Sequence, residues 1–191
     1  MKLYEDLHHI DQALKFKNHT LKEWIGFNYA EYRTEIINWI SAHGFEDIED
    51  LTQQQIKNLR VQFADAFRNG EDIRQIARRV LSSGIGDLEV SVPTQYDADG
   101  NVIRQGYSRM MPKEFRSVII ARTETIRAAN EGALDNYTKN MSVEKVQWLA
   151  GISDRTCDIC NEENGRIMTI AEARGQIPKH CACRCAWTPL T

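Results

Sequence analysis

All five cysteines of this chain lie after residue 156, in two short clusters. The first cluster is Cys157-x2-Cys160, and the second is His180-Cys181-x-Cys183-x-Cys185. Thiolate and imidazole groups are the usual ligands of tetrahedral zinc, and a C-x2-C turn places two sulfur atoms on one side of a tight knuckle. The spacing therefore predicts one zinc ion that joins the two clusters, and this joint constrains how the end of the chain folds.

More donors are available than a tetrahedral ion needs. The candidate metal ligands are Cys157, Cys160, His180, Cys183 and Cys185. On a strand, residues two apart face the same side, so Cys183 and Cys185 can both point at the ion. His180 with Cys183 forms the competing second pair. The sequence leaves open which four bind, and Cys181 is the expected bystander.

A cluster of disulfides is the alternative explanation for these cysteines. The cysteine count is odd, and the first residues include Lys2, Glu5, Asp6 and Asp11, which are too charged for a secretory signal peptide. Disulfides need an oxidising compartment. We therefore expect a reducing compartment and a metal site.

Length and charge limit the class of protein. A chain of 191 residues can form a helical body plus a small metal-stabilised unit. Its longest apolar run, residues 118–121, is far shorter than the roughly 20 residues that cross a membrane, so we expect no membrane partner. The net charge of -3 gives no support to general nucleic-acid binding.

Four apolar stripes with helical spacing predict four helices in residues 1–84. Thr20 and Thr52 are the expected N-caps, and Gly44, Gly70 and Gly84 are the expected stops. The stripes contain, in order, Leu3, Leu7, Ile10 and Leu14; Leu21, Ile25, Tyr32, Ile36 and Trp39; Ile56, Leu59, Phe63 and Phe67; and Ile73, Ile76, Ala77, Val80 and Leu81.

Residues 85–111 predict a β-hairpin arm, because two short β-favouring runs flank an Asp99-Gly100 turn. Pro112 suits the first turn of a long helix that reaches about Asn140. The expected buried side of that helix contains Phe115, Val118, Ile119, Ile126, Ala129, Ala133, Leu134 and Tyr137.

Charged residues on the long helix form an expected structural ion-pair network. Arg122 falls within the apolar stripe, so we expect its guanidinium to be half buried and paired. Glu124 is expected elsewhere on the helix, near Arg127 at a spacing of three residues.

Short elements follow the long helix. Residues 145–149 predict a strand, 165–170 a returning strand, 171–175 one helical turn and 183–188 a last strand. The predicted fold class is α+β: a mainly helical N-terminal body, a long central helix and a small C-terminal β unit stapled by zinc. The expected organisation is a helical region at 1–84, the hairpin arm at 85–111 and a final module at 112–191.

Over roughly residues 68–188 the chain resembles the phage Mu F-like minor head, or head morphogenesis, proteins of tailed viruses. The resemblance depends on an Ala-Arg-Thr-Glu element, the two metal clusters and a few residues between them. The matching residues are Ile120-Ala121-Arg122-Thr123-Glu124, Asn130, Tyr137, Trp148, Asp154-Arg155-Thr156-Cys157-x-x-Cys160, Gly165, Pro178-x-His180 and Cys183-Arg184-Cys185. Cys181 departs from the pattern, since the family commonly has proline there, and residues 88–110 resemble an insertion.

The resemblance implies a minor capsid protein that is associated with the portal vertex and acts in head assembly, DNA packaging or ejection. Its implied partners are the portal protein, capsid and scaffold proteins, with packaged viral DNA as a further contact. Its implied location is the virion, after assembly in the host cytoplasm. The resemblance implies a structural zinc and no enzymatic activity.

Two alternatives use the same metal site. A zinc-dependent enzyme acting on nucleic acid would need an open coordination position and a nearby acid or base, but the chain lacks H-E-x-x-H and the deaminase H-x-E signature. A zinc-ribbon DNA-binding protein would use Arg155, Arg166, Lys179 and Arg184 as phosphate contacts.

Overall fold

The computed structural model describes residues 29–48, 50–151 and 156–190. The first predicted helix, from Leu3 to Leu14, and the predicted Thr20 N-cap lie outside these residues. Within the described part of the chain, none of the helices combines the length and the apolar character needed to cross a membrane.

Three helices form the first half of the fold: α1 (Tyr29–His43), α2 (Gln53–Asn69) and α3 (Ile73–Ser82). Thr52 caps α2 as predicted, because its side chain accepts from the Gln55 N–H while Gln55 reaches back to the Thr52 N–H. Gly70 ends α2 with φ 65°, a left-handed conformation that favours glycine. The helices predicted from the second, third and fourth stripes are therefore present.

A bent β-hairpin projects between α3 and the long helix. Its base pairs β1 (Leu88–Val92) with β4 (Tyr107–Met111), and its tip pairs β2 (Gln95–Tyr96) with β3 (Val102–Arg104). At the tip, Asp97 accepts from the Asn101 N–H at 2.8 Å, and this bond closes the turn. The hairpin predicted from the Asp-Gly signal is confirmed, and most of its side chains are exposed.

The long helix α4 (Lys113–Asn140) organises the rest of the molecule. Pro112 lies one residue before the helix with ψ 143°, so it is the N-cap rather than part of the first turn. Proline has no side chain that can cap, and Asp87 from the base of the arm accepts from the Lys113 N–H at 2.8 Å instead. Both α1 and α3 pack on α4.

A three-stranded antiparallel sheet packs against the end of α4, and its middle strand is the first of the three in the sequence. Its strands are β5 (Lys145–Leu149), β6 (Ile167–Thr169) and β7 (Ala186–Leu190), and the short helices are α5 (Asp158–Glu163) and α6 (Ile170–Ala173). The last strand therefore begins at Ala186, after the cysteines, and not at Cys183 as predicted. With this sheet beside the helices, the observed class is α+β, as predicted.

The buried core is continuous from α1 to β7. At the helical end, Phe45 and Phe63 meet edge to face with ring centroids 4.6 Å apart. At the sheet end, Trp148 and Trp187 meet edge to face at 5.1 Å. Aromatic pairs in this geometry add stabilisation beyond their buried area.

Candidate metal centre

The first ligand pair lies at the beginning of α5. Cys157 is the N-cap of this helix in an extended conformation, and Cys160 lies in its first turn. The Asn161 N–H donates to the Cys157 carbonyl at 3.0 Å, which closes the turn. An N-cap and the residue three positions later lie close together, so this turn places both thiols on one side.

The second cluster is held by a turn and by the long helix. The Cys183 N–H donates to the His180 carbonyl at 3.1 Å. Between these two residues, Ala182 adopts φ 56°, which is uncommon for a residue with a Cβ atom. Its N–H donates to the Thr123 hydroxyl of α4 at 3.0 Å. Thr123 therefore stabilises the unfavourable backbone that brings His180 and Cys183 to the same side.

All five predicted donors come together in the structure. Cys157, Cys160 and His180 form one group, and Cys160, Cys183 and Cys185 form a second, with the ligand atoms of each group within 4.8 Å of one another. The two groups share Cys160. They form a possible metal-binding cluster, and which of the five residues bind an ion stays a prediction.

The individual distances fit a site for one tetrahedral ion. His180 Nε2 lies 3.2 Å from Cys157 Sγ and 3.1 Å from Cys160 Sγ, and Cys160 Sγ lies 3.7 Å from Cys183 Sγ. Two sulfur atoms bound to one zinc at about 2.3 Å would be ~3.8 Å apart. Closing the described donors around an ion therefore requires only small movements.

The histidine ring is oriented for coordination through Nε2. Its Nδ1–H donates to the Cys181 carbonyl at 2.9 Å, so Nε2 carries the lone pair that faces the thiols. The same hydrogen bond to Cys181 raises the pKa of His180. Cys181 itself is exposed and belongs to neither donor group of the described residues.

Hydrogen bonds and burial shift the pKa values of the four thiols in different directions. A hydrogen bond from Cys185 lowers the pKa of the Cys183 thiol to about 5, and the same bond raises the pKa of Cys185. Burial raises the pKa of Cys160 to about 12, whereas the Cys160 backbone N–H lowers the pKa of Cys157. Cys183 is thus the preferred thiolate, and a cation is needed for Cys160 and Cys185 to ionise as well.

Two residues of α4 hold the strand that follows the second cluster. Asn130 donates to the Cys185 carbonyl at 3.2 Å and accepts from the Trp187 N–H at 3.0 Å. Tyr137 donates its hydroxyl to the Trp187 carbonyl at 3.1 Å, and burial raises its pKa, so the hydroxyl keeps the proton it donates. Within the part of the chain that the structure describes, the sheet has no strand on this side of β7, and these side chains make the bonds that a strand would make.

Sequence reasoning gave no such role to Asn130, Tyr137 or Thr123: it placed Tyr137 on the buried side of the helix and singled out the other two only through the family resemblance. The one sequence signal for inward partners of these three residues is that each is polar and lies among buried positions of a helix. Buried polar groups are normally hydrogen-bonded. That signal does not identify a segment 55 residues away along the chain as the partner of Asn130.

The predictions for the long helix were wrong about both Arg122, expected half buried, and Glu124, expected away from the buried stripe, and right about the Glu124–Arg127 pair. Arg122 is exposed, whereas Glu124 is only 1% exposed. Glu124 accepts from the Phe45 N–H at 2.9 Å and lies 3.6 Å from Arg127. Ile120, Ala121 and Ala128 are buried at positions i-4, i-3 and i+4 from Glu124, and this stripe of small and apolar residues is the signal that places Glu124 inward.

Burial shapes the chemistry of Glu124. It raises the pKa of the carboxyl, while the nearby Arg127 guanidinium opposes that shift. The bond to Phe45 holds a residue with φ 69°, whose side chain is fully buried against α2. The carboxylate therefore ties the turn between α1 and α2 to α4, and its role is structural.

The proposed DNA-contacting cations are partly neutralised within the chain. Arg166 and Lys179 both pair with Glu163, at 2.8 and 3.1 Å. Arg184 also has a partner within the chain, and Arg155 lies outside the described residues. These ion pairs weaken the basis for a zinc-ribbon DNA-binding face.

Comparison with known proteins identifies the family. No curated protein and no solved structure matches the chain significantly. A family model described as phage Mu protein F like protein matches residues 57–188, which include the arm, the long helix and both metal clusters. Because this match covers well over half of the sequence, the chain belongs to the phage Mu protein F-like family of phage head-morphogenesis proteins.

Proposed function

We propose that this protein is a minor head protein that acts at the portal vertex during head assembly, with consequences for DNA packaging or ejection. The observation that carries the proposal is the family match over residues 57–188. Membership of a phage head-morphogenesis family implies contact with other head proteins. The portal protein and the capsid or scaffold proteins are the partners we assign within that class.

The metal centre has a structural role in this proposal, and we assign zinc to it. Sulfur and imidazole donors suit zinc better than hard cations, which prefer oxygen. The sheet it joins has strands of only three to five residues, so it buries little surface by itself. An ion that links α5 to the segment before β7 closes this unit, as structural zinc does in small domains.

The hairpin arm supplies the proposed contact surface for another head protein. Tyr96, Ile103 and Met110 are 60%, 67% and 59% exposed, although they are large and apolar. The chain thereby keeps apolar side chains in water on an arm whose strand pairs, β1–β4 and β2–β3, each have no third strand beside them among the described residues. Exposed apolar residues and open strand edges favour contact with a second protein.

The arrangement of the motif residues supports a non-enzymatic role. Thr123, Glu124, Asn130 and Tyr137 each contact the protein's own backbone, so their polar groups hold the fold together. Glu163, an acidic side chain three residues after Cys160, pairs with Arg166 and Lys179. The geometry therefore favours assembly over a zinc enzyme.

Co-expression with the portal and scaffold proteins of the same virus tests the proposal. We expect a low, fixed number of copies of this chain in purified procapsids. A variant lacking residues 97–101 should fold normally, since these residues form only an exposed turn, and it should be incorporated less efficiently. The exposed substitution Lys57→Ala, on α2 and outside the arm, serves as a surface control.

Two results would contradict the assembly role. One is complete absence of the chain from procapsids together with metal-dependent cleavage of DNA by the free protein. The other is complete absence of the chain from procapsids together with binding of free DNA whose affinity falls steeply with salt, as expected when several phosphates are neutralised. The first result would favour the enzyme, and the second would favour the DNA-binding protein.

A further inference from the structure

The candidate metal centre has one thiol more than a tetrahedral ion with His180 can use. The use of this extra thiol rests on the proposed metal binding. The two donor groups overlap only at Cys160.

Three donors form the constant part of the site. Cys157 Sγ and Cys160 Sγ both lie within 3.2 Å of His180 Nε2, and all three atoms are mutually close. The ring is held by its Nδ1–H bond to the Cys181 carbonyl, which keeps Nε2 facing the two sulfur atoms. An ion placed among these three donors has one tetrahedral corner left.

Two thiols have comparable access to that corner. Cys183 Sγ lies 3.7 Å from Cys160 Sγ, close to the separation of ~3.8 Å expected for two sulfur atoms on one zinc. Cys185 lines the cavity of about 100 Å³ that Cys157, Cys160 and His180 also line. The sulfur–sulfur distance to Cys160 thus favours Cys183 as the fourth ligand, and the position in the cavity wall favours Cys185.

Backbone hydrogen bonds hold both thiols near Cys160 at the same time. Cys183 is fixed by its N–H bond to His180, and Cys185 by its carbonyl bond to Asn130. Their side chains are 1% and 2% exposed, so neither thiol can turn out into water without opening the core. Residues two apart on an extended chain face the same side, and a small shift exchanges one sulfur for the other.

We propose that Cys183 and Cys185 are alternative fourth ligands of one ion, which Cys157, Cys160 and His180 hold in both states. The thiol that is not bound donates a hydrogen bond to the bound sulfur. The site therefore keeps its ion when either of these two thiols is lost, whereas loss of any constant ligand empties it.

Zinc affinity of matched serine variants tests the proposal. We expect Cys183→Ser and Cys185→Ser each to bind one zinc, about 10- to 100-fold more weakly than the unmodified chain, as for removal of a supporting group at other metal sites. The double variant and Cys157→Ser should lose the ion. Competition with a chromophoric chelator measures the affinities, and circular dichroism confirms that each variant is folded.

Cobalt substitution provides the matching spectroscopic readout. Both single variants loaded with Co²⁺ should show tetrahedral ligand-field bands and the same number of thiolate ligands as the unmodified protein. A single variant that loses the ion, beside another that binds as tightly as the unmodified protein, would overturn the proposal, because it identifies a fixed fourth ligand.

The unmodified protein can decide the question even if a variant does not fold. Loaded with ¹¹³Cd²⁺, it should show scalar coupling of the metal to the β protons of Cys157 and Cys160 and also of both Cys183 and Cys185. Coupling to only one of the last two, or to four cysteines without His180, would refute alternation. Failure of the unmodified chain to bind any metal would instead refute the proposed structural site.

Discussion

Replacing Asn130 of α4 by alanine should destabilise the sheet unit. The side chain is 4% exposed and makes two bonds to the last segment, one with the Cys185 carbonyl and one with the Trp187 N–H. Cys185 and Trp187 are themselves 2% and 4% exposed, so water does not readily replace the lost partner.

The expected magnitude follows from the two groups left unpaired. Each buried, unsatisfied donor or acceptor costs about 1–3 kcal/mol. Alanine recovers roughly 0.5 kcal/mol through its higher helix propensity. The free energy of unfolding should therefore fall by about 2–5 kcal/mol, which corresponds to a melting temperature lower by about 5–15 °C for a chain of this size.

Urea unfolding of the zinc-loaded protein, followed by tryptophan fluorescence, measures this change. Trp148 and Trp187 are buried against each other and report directly on the sheet unit. Tyr137→Phe removes a single bond to the same strand and should cost about 1–2 kcal/mol.

Two controls sharpen the interpretation. Arg122→Ala, on the exposed face of the same helix, should change stability by less than about 0.5 kcal/mol. The double variant of Asn130 and Tyr137 should be non-additive, because both side chains hold Trp187. A loss below about 1 kcal/mol for Asn130→Ala would refute the idea that this helix replaces a neighbouring strand.

Three further changes test other parts of the structure. Gly132→Ala should lower the free energy of unfolding by about 1–3 kcal/mol, because the added Cβ would lie 2.7 Å from the Ile36 backbone nitrogen. Gly86→Ala, with open space around the added Cβ, should be nearly neutral in the same urea-unfolding experiment. Between pH 4.5 and the raised pKa of Glu124 the folded state binds more protons than the unfolded state, so this carboxyl makes stability fall as pH rises; Glu124→Gln should remove that component from stability measured at stepped pH. Cys157→Ser, or removal of zinc by a chelator, should increase hydrogen exchange from about residue 143 onward and leave the helices between residues 29 and 84 protected. Uniform exchange along the chain would contradict a local role for the metal.

The Glu124 experiment separates a structural carboxylate from a functional one. If the buried carboxyl only ties the α1–α2 turn to α4, the amide of the glutamine variant still accepts from Phe45 and assembly into procapsids should continue. Loss of assembly by a variant that is as stable as the unmodified protein would show a role beyond the one the geometry gives.

Local interactions made much of this fold predictable from the sequence. The capping box at Thr52, the left-handed Gly70 and the Asp97–Asn101 turn each depend on residues within four positions, so the printed sequence contains all the partners. The long helix and strand β5 follow from periodicity for the same reason. The five metal donors could be named because ligand spacing at each end of a zinc site is also local.

Long-range contacts decided what the sequence could not. Arg122 and Glu124 are two residues apart, and the packing of α1 and of Phe45 in the turn after it on α4 determines that the acid is buried and the base exposed. Asn130 and Tyr137 have roles because β7 lies beside α4, and Cys183 and Cys185 are the proposed alternative ligands because the fold brings both thiols within 4.8 Å of Cys160. The sequence by itself determined the helices, the turn and the set of candidate metal donors, whereas the tertiary structure decided which polar groups lost water and therefore needed a partner within the chain.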